Sequence, residues 1–212
     1  MNRIRLYRPK GERARLVVSG LVFALSLATV GVGLTGAIFT DTASVGANDF
    51  TTGTIDISTS PASALLTAST MAPGDKSTGS ITVSNAGSLQ LRYAIQRSAT
   101  NADSKALRDS LRLRISLRGG AGCDFPFYNS DGTTTTHTDD TQLYEGLGFP
   151  ATATNTVGDA TQGNQAGDRV LAAAANEVLC FATVLPTSAG NSLQNASTTA
   201  TFDFVSEQTT NN

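Results

Sequence analysis

Tryptophan is missing altogether, histidine occurs once, methionine twice, and only 15% of the 212 residues are charged. So low a charge content excludes a charge-rich disordered chain and a heptad coiled coil. Aromatics at 6% and no tryptophan argue against a carbohydrate-binding sandwich, which would want exposed rings. Basic residues are too sparse to track phosphates, so no nucleic-acid partner is expected. The sequence also lacks the metalloprotease pattern H-E-x-x-H, the nucleophile elbow G-x-S-x-G and any C-x-x-C pair. What is plentiful is Thr (30) and Gly (20), a bias toward strands and turns and away from a helical bundle.

Charge is unevenly placed. Residues 1–37 hold six of the 15 basic side chains and one of the 17 acids, leaving nine bases against 16 acids and a net −7 for the remainder. After the basic stretch 1–15 comes an uncharged run of 24 residues, Leu16 to Phe39, broken by Gly20, Gly31, Gly33 and Gly36. A positive flank, an apolar stretch and then small residues is the order of a secretory signal. Thr35-Gly36-Ala37 puts small side chains at both positions a signal peptidase reads, so cleavage is expected between Ala37 and Ile38. No twin-arginine pair opens the segment, which implies export of the unfolded chain, with no stable membrane span after cleavage. A retained anchor is the alternative, since about 20 apolar residues span a bilayer.

Cys123 and Cys180 are the only cysteines. An even pair in an exported chain reads as a disulfide, against the alternative of two separate thiols. Period-two apolar alternation dominates the mature chain. Leu89, Leu91, Tyr93 and Ile95 make one strand, and Leu111, Leu113, Ile115 and Leu117 a cleaner one, with Arg112, Arg114 and Arg118 on the opposite face, read as solvated or paired across strands. Further strands are expected at 50–58, 80–84, 177–185 and 198–205, and a short helix within 101–110 capped by Asn101 or Ser104. The stretch 129–168 has few apolar anchors and reads as a long Thr/Gly-rich surface excursion. It contains His137, which with Asp131, Asp139 and Asp140 is at most a loose metal-ligand grouping, matching no ordered template. No catalytic residue and no cofactor is expected. Short strands with at most one or two short helices point to a β-sandwich, with jelly-roll and immunoglobulin-like topologies both open.

Several blocks carry a resemblance. They are Ala37-Ile38-Phe39-Thr40-Asp41, Phe50-Thr51-Thr52-Gly53-Thr54, Met71-Ala72-Pro73-Gly74-Asp75, Asn85-Ala86-Gly87-Ser88-Leu89, and Leu185-Pro186 through Ser197 followed by Phe202-Asp203-Phe204. In this order, behind such a signal, they resemble the TasA/camelysin family of secreted bacterial biofilm-matrix proteins. The resemblance implies a jelly-roll-like antiparallel β-sandwich, a SipW-type signal peptidase, and an extracellular or cell-surface location in a bacterium. It also implies assembly into fibres with itself and related matrix subunits by donation of an N-terminal strand. Camelysin-like members are described as metal-dependent endopeptidases, which is the competing expectation. The organisation expected is a signal peptide at 1–37, a candidate donor segment at 38–49, a sandwich domain at 50–208 and a tail at 209–212. Within the donor segment Phe39, Ala43, Val45 and Ala47 share one face at period two. Asn85 and Gly87 are expected to turn a hairpin between the strands on either side.

Overall fold

The computed structural model describes residues 51–63, 65–68, 70–118, 123, 127–135 and 140–210. The cleavage site Ala37–Ile38, the donor residues Phe39, Ala43, Val45 and Ala47, and His137 with Asp139 lie outside the described residues.

Among the described residues nine strands and one helical turn follow one another as β1 (Ile57–Ser60), β2 (Lys76–Asn85), β3 (Leu91–Ala99), α1 (Leu107–Ser110), β4 (Arg112–Arg118), β5 (Asp140–Leu147), β6 (Thr154–Val157), β7 (Arg169–Leu171), β8 (Asn176–Val184) and β9 (Ala200–Gln208). Five of them form one antiparallel sheet in the order β1-β2-β8-β4-β5. In the second sheet β3 is central: β9 runs along its whole length, while β6 and β7 pair with its two halves, at Ile95–Arg97 and Leu91–Tyr93. The chain changes sheets at β2 to β3, β3 to β4, β5 to β6, β7 to β8 and β8 to β9. This is the all-β sandwich expected from the alternation.

Inward side chains of the two sheets meet in one core. Ile81, Val83, Leu113, Ile115, Leu179 and Phe181 face Leu91, Tyr93, Ile95, Val157 and Leu171, all buried. Phe181 meets Phe202 of the opposite sheet edge-on, with ring centroids 4.8 Å apart. Each such side chain contributes about 1.5–3 kcal/mol when fully removed from water. Strict alternation fails on the central strands, because their outer faces are covered too. Arg92 and Ala94 of β3 are buried beneath the loop carrying Asp159 to Gln162. Arg114 and Ser116 of β4, with Cys180, Ala182 and Val184 of β8, are buried beneath the segment carrying Cys123, Phe127 and Tyr128.

Several expectations are corrected. The region 129–168 is not one long excursion: it holds β5 and β6, outer strands of the two sheets, and the buried Phe149 and Val157. Leu89 lies outside β3 and is 37% exposed, packed over Gly53. The strand expected at 50–58 is confined to Ile57–Ser60. The helix is a single turn, and neither Asn101 nor Ser104 caps it. Ala106 holds the cap position in left-handed backbone (φ 62°), while Asn101 Oδ1 accepts the Ala106 N–H at 2.8 Å. Arg112 does pair across strands with Glu145 at 3.0 Å, but Arg114 is buried rather than solvated.

Most consequential is the turn at Asn85–Gly87. It is no hairpin, since β2 and β3 belong to different sheets. Asn85 is buried and its side chain stitches the crossover: Nδ2 donates to the carbonyls of Leu89 (2.8 Å) and Ala172 (3.0 Å), and Oδ1 accepts the Gly87 N–H (3.0 Å). A side chain at Gly87 would run into the Thr54 carbonyl oxygen, 2.4 Å from where its Cβ would stand. β1, the first strand among the described residues, is short. β1 pairs only with Thr82–Asn85, so along Lys76–Ile81 the outer edge of β2 has no strand partner among the described residues.

Candidate functional site

At the pole of the sandwich where β2 begins, a groove of about 640 Å³ with mixed apolar and uncharged polar walls opens. Its apolar side is formed by Leu66, Met71, Leu107, Leu111, Phe149 and Leu185 and its polar side by Thr183, Asn191, Gln194 and Thr198, and none of the described lining residues is charged. The Pro73-Gly74-Asp75 turn fixes the Met71 wall. Gly74 takes φ +98°, a left-handed conformation that suits a residue without Cβ, and its N–H donates to the Leu185 carbonyl at 2.6 Å. Asp75 Oδ2 closes the turn by accepting the Ala72 N–H at 2.8 Å. The opposite wall is set by the end of α1, where the Phe149 N–H donates to the Arg108 carbonyl and the Gly148 N–H to that of Leu111.

The rim, Asn191 to Ser197, follows a 3-10 turn at Asn191–Leu193 and is tied down by Asp103. The Asp103 carboxylate accepts the backbone N–H groups of Lys105 and Ser197, and Lys105 Nζ donates to the Gln194 carbonyl at 2.6 Å. These backbone donors, Lys105 first, hold the Asp103 pKa below its ordinary 3.8. A carboxylate with a depressed folded pKa stabilises the fold above its unfolded pKa, and that contribution fades as pH falls through the folded value. Carboxyl titration by carbon NMR is therefore expected to give Asp103 a midpoint below 3.8, with the Ser197 amide shift following the same curve. A midpoint at or above 3.8 would show the rim is not held this way.

The outer face of the larger sheet carries the second local structure. A disulfide joins Cys123 to Cys180 in the middle of β8, with the Cα atoms 5.4 Å apart. It pins a flap on which Phe127 and Tyr128 cover Val178, Ala182 and Val184. The Arg114 guanidinium lies under this flap, 5.5 Å from the Phe127 ring centroid, and donates to the Thr135 carbonyl at 3.1 Å. That contact combines cation–π attraction with a satisfied buried donor. A Ser130 carbonyl accepting the Thr187 N–H closes the flap against the end of β8.

Between the sheets, Glu177 of β8 accepts from Tyr93 of β3 (2.6 Å) and pairs with Arg169 of β7. Burial, reinforced by that neighbouring carboxylate, pushes the Tyr93 phenol well above its usual range, and burial does the same to Tyr128. Both phenols keep their protons at neutral pH, so neither is available as a general base. Arg169 is stabilised in its charged form by the Glu177 hydrogen bond. This triad is a bolt between layers, not a reactive site. The Asp131 and Asp159 carboxylates are committed to Thr133 and Thr161 in local turns, which lowers both pKa values.

Sequence reading had singled out none of the groove residues as a site. Met71, Pro73 and Leu185 stood in the blocks that carried the resemblance, but Leu66, Leu107 and Phe149 show no shared period and come together only through the sheet crossovers.

The camelysin metallo-endopeptidase family matches residues 14–114 of this chain. No curated protein matches it. The matched stretch runs into β4 and so takes in β1, β2, β3 and α1. Among the described residues no catalytic zinc centre is formed. Such a centre takes three protein ligands, chiefly His with Glu or Cys. This chain has one histidine, both cysteines are spent in the disulfide, and no group of three or more His, Cys, Asp or Glu is arranged for a metal among the described residues.

Proposed function

Starting from camelysin-family sequence over residues 14–114, the family that includes TasA-like proteins, we propose that the mature chain is a secreted structural subunit. It assembles into extracellular fibres or a surface matrix by giving residues 38–47 as a strand to a neighbouring copy. The observation that supports this most is an antiparallel sandwich with unfinished strand edges, in a chain whose 38–47 segment has an apolar period-two face. An open edge is a template for strand addition, and adding a strand satisfies the backbone ladder while burying the alternate side chains.

Electron microscopy of the secreted protein tests it. The secreted N-terminus is expected at Ile38, and the mature protein is expected to form fibres. A chain beginning at Asp49, or one carrying Phe39→Asp with Val45→Asp, is expected to keep its circular dichroism spectrum and form none. Normal fibres from the shortened chain would end the reading, as would recovery of an intact Met1 form fixed in the membrane.

The second reading, a secreted metal-dependent endopeptidase, is favoured by the family's description. Metal analysis of the purified mature protein and chelator-sensitive casein hydrolysis decide between the two. Stoichiometric metal with such hydrolysis would establish the peptidase.

A further inference from the structure

We propose that the groove at the pole where β2 begins is a binding site for a neutral amphiphile, a molecule with one apolar chain and an uncharged hydroxyl or amide head group. This is a function beside the structural one and does not depend on strand donation. Size, polarity and construction of the groove each bear on it.

The volume of about 640 Å³ falls within the range of small-molecule sites, roughly 300–1,000 Å³. Much of the apolar side is already buried: Leu111 is 7%, Phe149 3% and Leu185 3% exposed. Phe149 is braced by an edge-on contact with Phe202, ring centroids 6.2 Å apart. Met71, Leu107 and Leu193 are only half-buried against this core, so apolar surface remains for a chain to cover. Covering it removes more hydrocarbon from water, which favours binding without any directional contact.

Charge decides the head group. None of the described lining residues is charged. A carboxylate or ammonium drawn into the groove would lose water with no counter-ion in its place. Charged neighbours in the sequence are committed elsewhere, Asp75 to the Ala72 N–H and Lys105 to the Gln194 carbonyl. On the rim the exposed side-chain amides of Asn191 and Gln194 make no hydrogen bond within the described residues. An amide offers both donor and acceptor, which suits a hydroxyl or another amide. The rim is also built in advance. Besides the Asp103 contacts, Thr198 Oγ1 donates to the Thr100 carbonyl at 2.8 Å, and Thr100 Oγ1 accepts the Thr199 N–H at 2.9 Å. A wall already fixed has less freedom to lose when a ligand settles against it.

Met71 is the one methionine besides Met1, so its methyl group reports on the groove directly. The test titrates the purified protein, labelled at its methionine methyls for NMR, with monodecanoylglycerol, decanoate, decyltrimethylammonium and glycerol, each below its aggregation concentration. The neutral amphiphile is expected to give a saturable Met71 shift. Both charged probes are expected to bind at least tenfold more weakly, and glycerol to leave the signal where it is. Leu193→Asp, which sets a charge on the apolar side, is expected to weaken monodecanoylglycerol at least tenfold. Asn191→Ala with Gln194→Ala changes two exposed positions and is the second variant should Leu193→Asp unfold the chain. It is expected to weaken the same probe at least threefold. No saturable shift with the neutral probe, a charged probe binding as tightly, or full affinity in a folded variant would each overturn the site.

Discussion

Replacing Cys123 and Cys180 together by alanine is expected to lower the unfolding free energy by up to about 4 kcal/mol, the entropy that a cross-link of this span withdraws from the unfolded chain. The span is 57 residues. The effect is concentrated on the flap, which apart from the link is held by Arg114 bonding to the Thr135 carbonyl and Thr187 N–H bonding to that of Ser130. Cys123, Phe127 and Tyr128 are its buried anchors, and its turn is closed by Thr135 and Asn129 N–H groups bonding within the flap itself. Once the link is gone, Val178, Ala182 and Val184 lose their cover and Arg114 loses the ring above it. Urea unfolding should therefore show a midpoint lower by roughly 2 M, taking a slope of about 2 kcal/mol per molar. The native variant should also bind more of a hydrophobic dye. An unchanged midpoint would mean the flap is held by its packing alone.

Asn85→Ala is the second large effect, expected at about 2–4 kcal/mol. The substitution removes little apolar surface, so its weight is in groups left behind. Carbonyls of Leu89 and Ala172 lose a donor, and the Gly87 N–H loses its acceptor, at a position that is 1% exposed. A buried polar group left without a partner costs about 1–3 kcal/mol. Asn85→Asp is the informative companion. It keeps the acceptor for Gly87 but turns an anion toward two carbonyls, and should destabilise at least as much as alanine. Denaturation with amide exchange at Gly87 reads both. A loss under about 0.5 kcal/mol for alanine would show that water replaces the side chain.

The alternation at Leu113–Leu117 and at Leu91–Ile95 was enough to recognise the sandwich, because one face of each strand meets the core whatever the topology. β5 and β6 were missed for a physical reason. As outer strands they bury part of one face only, and Thr141, Gln142, Thr154 and Asn155 leave a weak apolar signal. Arg114 was misjudged because what covers it is a flap distant in sequence, and no local pattern announces a second layer. The turn at Asn85–Gly87 was placed correctly and its role was not. Asn and Gly suit any tight reversal, and whether the next strand returns beside the last one or crosses to the opposite sheet is decided by partners near residue 180 and residue 204. The groove was illegible for the same reason, being assembled from four separate stretches of chain.

The order of partners also governs when the molecule can exist. β3, the centre of its sheet, is completed along its length by β9, the last of the described strands, and β2 waits for β8. β1 finds β2 and β4 finds β5 close in sequence, but the centres of both sheets wait for distant partners, so topology of this kind forms slowly. A nascent chain released only as far as residue 114 holds β1, β2, β3 and α1 with neither β8 nor β9 to pair with. Both sheets consequently stay incomplete until β8 and β9 are made. On the proposed export of the unfolded chain, that delay would keep premature structure from blocking a narrow translocation channel.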